Sequence, residues 1–316
     1  MTKFKKYLQL MMFPVSICLL LLLSINGLAQ DSTAVAPKKA VKNTFEGNWI
    51  QDNQSVMVPI KGTLEMDMQH RFGTVKNGYK DLIGIYAPAN IRIGFSYVVI
   101  DKLQLGFGFT KERLQWDFNG KYALLKQTKG GGSPVSITYF VNTVVETRVD
   151  KDNLIYVANG DRVSYFHQLI IAHKLNDKIS LQVSPSISHY NNVEGVLDAN
   201  GVVQRNMKND HIAIAFMGRY KVSEKMNVMI NYDQPITEHP GLKKNTNPNP
   251  NLSFGIELVT SAHSFQIFMG NYQGITPQSN NYFNHNSPFK YTTADGTKME
   301  GGMFLIGFNI TRLWNL

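Results

Sequence analysis

The chain has 316 residues, of which 17% are charged and 11% aromatic, and a formal net charge of +9. Its mean hydropathy of -0.19 excludes a bundle of membrane-spanning helices, and so small a charged fraction is unusual for a polar soluble protein. A transmembrane β-barrel has this balance, because its strands show lipid one side chain and the lumen the next.

The first 29 residues resemble an export signal. Three lysines fall within the first six residues, residues 7–23 are apolar, and Ala29 ends a small-residue cleavage site. Cleavage would leave Gln30 first and lower the net charge to +6, since three lysines and no acids are removed. The alternative is an uncleaved helical anchor, because the apolar stretch is long for a signal.

The single cysteine, Cys18, lies inside that apolar stretch and would be removed with it. The mature chain is therefore expected to have no thiol for a disulfide, a metal site or a nucleophile. No later segment offers the roughly 18 consecutive apolar residues that a membrane-spanning helix needs.

Residues 30–61 are polar and irregular and include the basic patch APKKAVK at positions 36–42. We interpret them as a periplasmic linker. The predicted organisation is thus a signal peptide at 1–29, a periplasmic N-terminal segment at 30–61 and a β-barrel domain at 62–316.

From Gly62 onward the chain alternates between apolar and polar residues with a period of two, which predicts two-faced strands. In the first strand the apolar set is Leu64, Met66, Met68, His70 and Phe72, and the polar set is Thr63, Glu65, Asp67, Gln69 and Arg71. The pattern recurs to give about twelve strands, near 90–97, 103–110, 120–128, 135–147, 163–174, 179–188, 211–222, 226–235, 251–260, 264–272 and 303–314.

Short and long connections largely alternate along the chain, which is typical of bacterial outer-membrane barrels with short periplasmic turns and long external loops. This order predicts that both termini are periplasmic. One link, at Asn119-Gly120, breaks the pattern, because it should be external and yet is short.

We predict a closed antiparallel barrel, because an open sheet would leave unpaired backbone groups facing lipid. The alternative is a soluble sandwich, whose strands are usually shorter. Several aromatic residues near strand ends would suit interfacial girdles: Tyr97, Trp116, Tyr190, Tyr232, Tyr272 and Trp314.

Five short stretches together resemble a family of outer-membrane β-barrels of unknown function from Bacteroidetes-type Gram-negative bacteria, over about Phe45 to Trp314. They are HRFG at 70–73, KYALLKQ at 121–127, PSISHYN at 185–191, HSFQIFMGN at 263–271 and GFNITR at 307–312. The resemblance implies a barrel in the outer membrane and implies no reaction. The residues that carry it are His70, Phe72, Gly73, Lys121, Tyr122, Gln127, His189, Asn191, His263, Gln266, Asn271 and Arg312.

The polar face of the first strands supplies the candidate lumen lining. Mixed charges there could select polar solutes by setting a transverse field, or could pair with one another and plug a narrow barrel. Both alternatives stay open. The candidates are Glu65, Asp67, Gln69, Arg71, Arg92 and Gln104.

His70, His189 and His263 stand in no metal-ligand spacing, so we predict no metal and no cofactor. His189 followed by Asn191 invites comparison with outer-membrane phospholipases, which use a Ser/His/Asn set. Those enzymes have a serine two residues after the histidine, where this chain has Asn191, so we predict no catalytic residue.

The leading hypothesis is a channel, or a binding scaffold for a small polar solute or a partner protein. The alternatives are an outer-membrane lipid hydrolase and an accessory subunit of an export or electron-transfer complex. The expected partners are outer-membrane lipid, the barrel-assembly machinery and a small polar or anionic solute. Nucleic acid is not expected, because no Lys/Arg run is present.

Overall fold

The computed structural model describes residues 39–151, 155–193, 195–197, 199–200, 202–205, 207–239, 247–292, 296 and 298–316. The predicted signal peptide, its cleavage site and Cys18 lie outside the described residues. Within the described ranges, no helix is both long and apolar enough to cross a membrane.

The described residues form a closed antiparallel barrel of twelve strands, which confirms the predicted fold class. The strands in chain order are β1 (Trp49–Ile50), β2 (Asn53–Gln54), β3 (Thr63–Thr74), β4 (Asn90–Ile100), β5 (Leu103–Thr110), β6 (Gln115–Leu125), β7 (Ser136–Glu146), β8 (Val163–Lys174), β9 (Ile179–Tyr190), β10 (Gly195–Leu197), β11 (Val203–Arg205), β12 (Asp210–Ser223), β13 (Met226–Pro235), β14 (Asn251–Val259), β15 (His263–Gly270), β16 (Tyr291–Thr292), β17 (Lys298–Met299) and β18 (Leu305–Asn315).

The barrel consists of β3 to β9, β12 to β15 and β18, each paired with its neighbour in that order. The first and last of these strands close the ring, for example where Phe308 lies opposite His70. Closure pairs the backbone of every strand on both sides, which a lipid environment requires.

The alternation of side chains produces an apolar outer face and a polar inner face. On β5, Leu105, Phe107 and Phe109 point outward and are 47%, 42% and 39% exposed, whereas Gln104 points inward and is 4% exposed. Lipid can cover the first set, and the second set must find its hydrogen bonds inside the barrel.

The two ends of the barrel differ. We call one the turn end, with connections at 101–102, 126–135, 175–178, 224–225 and 260–262. We call the other the loop end, with connections at 75–89, 111–114, 147–162, 191–209, 236–250 and 271–304.

The prediction of a connection between two strands at Asn119-Gly120 is wrong. Both residues lie within β6, where Gly120 pairs with Leu105, and the connection is instead the 3-10 turn at Glu112–Leu114. A Cβ at Gly120 would meet Leu105 and Val141 at an ordinary van der Waals distance of 3.5 Å, so this position could hold a side chain on a regular strand. Asn-Gly is a turn signal only where the neighbouring strands permit a turn.

Two residues assigned to the aromatic girdles are also misplaced. Tyr190 and Tyr272 are 6% and 0% exposed and point into the barrel. Tyr97 and Trp116 do lie on the outer surface, at 38% and 43% exposed. Position near a strand end does not decide the face on which an aromatic side chain lies, because the face depends on the register.

Candidate functional site in the barrel lumen

The segment before the first barrel strand lies inside the barrel, and we call residues 44–58 the plug hairpin. Its strands β1 and β2 pair across the two-residue turn Gln51-Asp52. Phe45, Ile50 and Val56 are buried. This corrects the expectation of a periplasmic linker for residues 44–58 within the segment 30–61: apolar side chains recur there, and the lumen buries them.

One side of the lumen wall is apolar and receives the apolar side chains of the plug hairpin. Phe45, Ile50 and Val56 pack there in one hydrophobic cluster. The wall contributes residues from β7, β8, β12 and β13, namely Phe140, Phe166, Ile170, Ala172, Ala215, Met217 and Met229. Burying this surface favours the docked hairpin.

The opposite side of the wall holds the tip of the plug hairpin by hydrogen bonds. The backbone N–H of Gln51 donates to Gln266 Oε1 at 3.1 Å, and its carbonyl accepts from Asn309 Nδ2 at 2.5 Å. Ser253 Oγ donates to the Gln51 side chain at 2.6 Å. Three adjacent strands, β14, β15 and β18, therefore fix this turn.

The second strand of the plug hairpin, β2, is also held to the wall by hydrogen bonds. Asn53 Nδ2 lies 3.0 Å from both carboxylate oxygens of Asp233, and Lys121 Nζ donates to Gln54 Oε1 at 3.0 Å. Gln182 Nε2 donates to the Gln54 carbonyl at 2.8 Å. These side chains of the wall take the place of water around the amides of Asn53 and Gln54 and around the Gln54 carbonyl.

A buried ion cluster of the wall centres on Arg92. Its Nη1 lies 2.5 Å from Asp67 Oδ1, and its Nε and Nη2 lie 2.8 and 2.9 Å from the two oxygens of Asp117. Gly94 and Gly108 leave the space for the guanidinium, because a Cβ at either would come within 2.5 and 2.4 Å of it. The cluster is a fully buried, bidentate ion pair with a second carboxylate.

The six candidate lumen residues all lie on the inward face and are 0–4% exposed. Glu65 and Gln104 both accept hydrogen bonds from Asn48 of the plug hairpin. Gln69 and Arg71 lie nearer the loop end of β3. The sequence analysis did not single out their partners, Asp117 among them, although the same alternation along β6 places Asp117 inward.

A second insertion closes the lumen from the loop end. The connection at 271–304 carries the helix α1 (Pro277–Phe283), whose residues 278–282 are buried. Gln278 Nε2 donates to Asn142 Oδ1 at 3.2 Å, and Asn280 Nδ2 donates to Asp52 Oδ2 at 3.2 Å. The helix and the tip of the plug hairpin therefore meet inside the barrel.

Among the titratable groups outside the strands, burial shifts the pKa of Asp52 and that of His239. Burial raises the pKa of the Asp52 carboxyl above its ordinary value, and the positive charge of Arg71 opposes the shift. Burial lowers the pKa of His239, and the charge of Lys208 adds to this. His239 also lies 3.0 Å from His211 at the loop end.

The histidines of the family-resembling stretches do not come together. His70 lies on the outer face, stacked on Phe308 with ring centres 5.1 Å apart. His263 contacts Arg312 at 3.2 Å near the turn end. Among the described residues, no group of three or more His, Cys, Asp or Glu could hold a metal ion.

The arrangement around His189 differs from that of a serine hydrolase. Its two ring nitrogens contact Asp210 Oδ1 at 2.7 Å and Asn191 Oδ1 at 3.1 Å. Ser186 and Ser188 point to the opposite, inward face of β9. A nucleophile must lie within hydrogen-bond reach of its base, so these serines cannot act with His189.

The remaining motif residues have structural positions. Lys121 and Gln266 reach the plug hairpin, whereas Asn271 ties two loops together by donating to the carbonyls of Pro250 and Asn286. Gln127 bonds Lys174 at the turn end, Gly73 packs against the loop at 75–89, and Phe72 and Tyr122 lie outside the lumen.

The sequence matches one family of protein domains, described as "Membrane bound beta barrel domain (DUF5777)", over residues 45–314. The chain belongs to this family. The match begins at Phe45, the second residue of the plug hairpin, and ends in the last barrel strand. The family domain therefore includes the hairpin as well as the barrel.

Solved structures of similar fold are outer-membrane channels and porins. A channel from Pseudomonas putida F1 shares 11% identity with a TM-score of 0.49, covering 82% of this chain and 97% of the other. The NanC porin shares 8% with a TM-score of 0.45, covering 80% and 99%. The KdgM porin shares 8% with a TM-score of 0.40, covering 78% and 98%. Among curated proteins no sequence relative was found.

Proposed function

We propose that this family member is an outer-membrane channel for small polar solutes in a Gram-negative bacterium, and that the plug hairpin holds it closed. The observation that carries the proposal is that the hairpin fills the lumen without belonging to the ring of strands. The barrel is closed by the pairing of β18 with β3, which needs no residue of the hairpin.

The path of the chain allows the plug hairpin to leave. It enters at the turn end, where Val41 N–H donates to the Gln127 carbonyl at 2.7 Å. The chain also exits the lumen at the turn end, where Gly62 N–H donates to the Val98 carbonyl at 3.0 Å. Withdrawal therefore requires no threading, and water can replace the side-chain hydrogen bonds that hold the hairpin.

The wall that the hairpin covers suits polar solutes. It presents charges of both signs, amides and hydroxyls, which is the lining expected of a selective aqueous pore. Its buried charged side chains are Glu65, Asp67, Arg71, Arg92, Asp117, Lys121, Glu146, Arg219, Asp233 and Glu257.

The proposed setting follows the general plan of such barrels, with short turns in the periplasm and long loops outside the cell. Both ends of the barrel domain, Gly62 and Leu316, meet at the turn end by a hydrogen bond of 3.1 Å. We therefore place both termini in the periplasm. The apolar outer belt would contact outer-membrane lipid, after insertion by the barrel-assembly machinery. No contact in the described chain favours the accessory-subunit alternative.

A disulfide across the hairpin tests the proposal. A Cβ built at Gly47 lies 3.9 Å from the Cβ of Ser264 on β15, which is within the range of a disulfide. The mature chain is expected to contain no other cysteine. The double variant Gly47→Cys/Ser264→Cys would be reconstituted into planar bilayers, with each single variant as a control.

We expect stepwise opening events from the reduced double variant, none after oxidation, and recovery on reduction. The single variants should conduct equally in both redox states. Equal conductance of the oxidised and reduced double variant would show that the hairpin is not the gate. A folded protein that is silent in every state would refute the channel and favour a scaffold.

A further inference from the structure

Arg71 has an unusual position for a charged residue. It points into the lumen from β3 and is fully buried. Its Nη1 donates to Asn309 Oδ1 at 2.9 Å and to the carbonyls of His70 and Phe308 at 3.0 and 3.4 Å. Its Nε and Nη2 have no hydrogen-bond partner among the described residues. No described carboxylate lies within ion-pair distance of it either.

The two unpartnered nitrogens form the edge of the guanidinium that binds carboxylates side-on. Arg92, on the next strand, uses this same edge: its Nε and Nη2 contact the two oxygens of Asp117. Two parallel N–H groups match two oxygens on one acceptor group. The edge that Arg92 uses on a protein carboxylate is thus without a hydrogen-bond partner on Arg71 among the described residues.

The surroundings hold Arg71 in place. Its guanidinium lies 4.7 Å from the ring centre of Phe268. Gly307 makes room for both side chains, since a Cβ there would lie 2.8 Å from Phe268 Cζ and 3.1 Å from Arg71 Cδ. Gln69 lies on the same face of the same strand, fully buried, and both polar atoms of its side chain are unpartnered.

The charged groups near Arg71 determine which charge a ligand there could have. Asp52, at the tip of the plug hairpin, interacts with Arg71 electrostatically, but its oxygens are taken by the amides of Asn231 at 3.0 Å and Asn280 at 3.2 Å. Burial of a guanidinium that no anion contacts is unfavourable. An ionised Asp52 repels every further negative charge, so a singly charged anion fits beside Arg71 better than a doubly charged one.

We propose that Arg71 binds the carboxylate group of a small monoanionic solute side-on through Nε and Nη2, with Gln69 as the second contact. The inference deepens the proposed function and rests on it, because a solute held there would lie on the path through the lumen. The plug hairpin and α1 would enclose it from the two ends of the barrel.

The probe is acetate, the simplest stable carboxylate after formate. The full mature protein is refolded from urea into detergent with radiolabelled acetate present, so that acetate reaches the lumen before the plug hairpin docks. Equilibrium dialysis then measures bound acetate. The first variant is Arg71→Lys, which keeps the positive charge but lacks the two parallel N–H groups of the guanidinium. The second is Gln69→Glu, which supplies a carboxylate from the protein. Arg312→Lys, at an exposed position on the outer face, is the matched control.

We expect one saturable acetate site in the wild type and in Arg312→Lys. Binding should be at least tenfold weaker in Arg71→Lys and absent in Gln69→Glu, whose folding is checked by the shift in electrophoretic mobility on boiling. Lack of saturable binding in the wild type, or equal binding in Gln69→Glu, overturns the proposal. Tighter binding of inorganic phosphate at neutral pH overturns the monocarboxylate assignment. Since dialysis needs no conductance, its failure and that of the disulfide test are distinguishable.

Discussion

Arg92 and Arg71 are inward-facing arginines on neighbouring strands of one barrel, and their surroundings differ. Arg92 is saturated by Asp67 and Asp117 within the wall. Arg71 bonds carbonyl and amide oxygens through one nitrogen only, and its other two are unpartnered among the described residues. The position of the two residues in the fold is alike, so the difference lies in which residue types face them.

The comparison teaches that buried charge in this lumen serves two purposes. The charge of Arg92 is neutralised by its contacts with Asp67 and Asp117, and the cluster holds three strands of the wall together. The Arg71 side chain is held by its neighbours but not neutralised by contact with an anion. A charge of the first kind contributes to the fold, and a charge of the second kind is suited to a ligand.

The largest expected effect comes from removing each arginine. Arg92→Met would leave two buried carboxylates without their partner and destabilise the barrel by about 3–5 kcal/mol. Arg71→Met removes a buried charge that no described carboxylate contacts, and it should therefore stabilise the barrel by up to several kcal/mol, roughly. Urea unfolding in lipid vesicles measures both, and equal losses would contradict the comparison.

The next effect concerns the space around Arg92. Gly108→Ala puts a Cβ 2.4 Å from the guanidinium, and we expect a loss of about 1–3 kcal/mol in the same unfolding experiment. Gly120→Ala is the control, because its Cβ would meet Leu105 and Val141 at 3.5 Å. If both variants lose the same free energy of unfolding, Gly108 is not needed to accommodate the Arg92 side chain.

A smaller effect is expected when Arg71 receives a partner from the protein. Gln69→Glu, without added anion, should stabilise the barrel by roughly 1 kcal/mol, because a charge-assisted hydrogen bond replaces two unpartnered groups. Gln69→Leu, which removes the amide and adds no charge, serves as the control. A Gln69→Glu variant that is less stable than Gln69→Leu would show that the Arg71 edge cannot be reached from position 69.

The smallest effect is a pH dependence of hairpin docking through Asp52. Since burial raises the pKa of this carboxyl, the docked hairpin is most stable below the ordinary value of 3.8 and loses stability as pH rises through the raised pKa. Acrylamide quenching of Trp49, with Trp116 and Trp314 replaced by phenylalanine, should increase with pH. Asp52→Asn should flatten the curve, and a steep curve in that variant would assign the dependence to another group.

The sequence alone predicted the wall well, because side chains of a strand alternate and lipid and lumen demand opposite chemistries. The period of two places Glu65, Asp67 and Arg92 on one face without knowledge of any contact. Local preference also accounts for the turn between β6 and β7, where Gly130, Gly131 and Gly132 all adopt positive φ, between 75° and 99°, a conformation that glycine alone adopts freely.

Two things were decided only by the tertiary structure. Residues 44–58 have no strong local pattern, and their place in the lumen depends on contacts with strands more than a hundred residues away, such as Gln51 with Gln266. Alternation likewise shows that Arg71 and Arg92 face inward but not which carboxylates meet them, since that depends on the register of neighbouring strands and on the depth to which the plug hairpin is inserted.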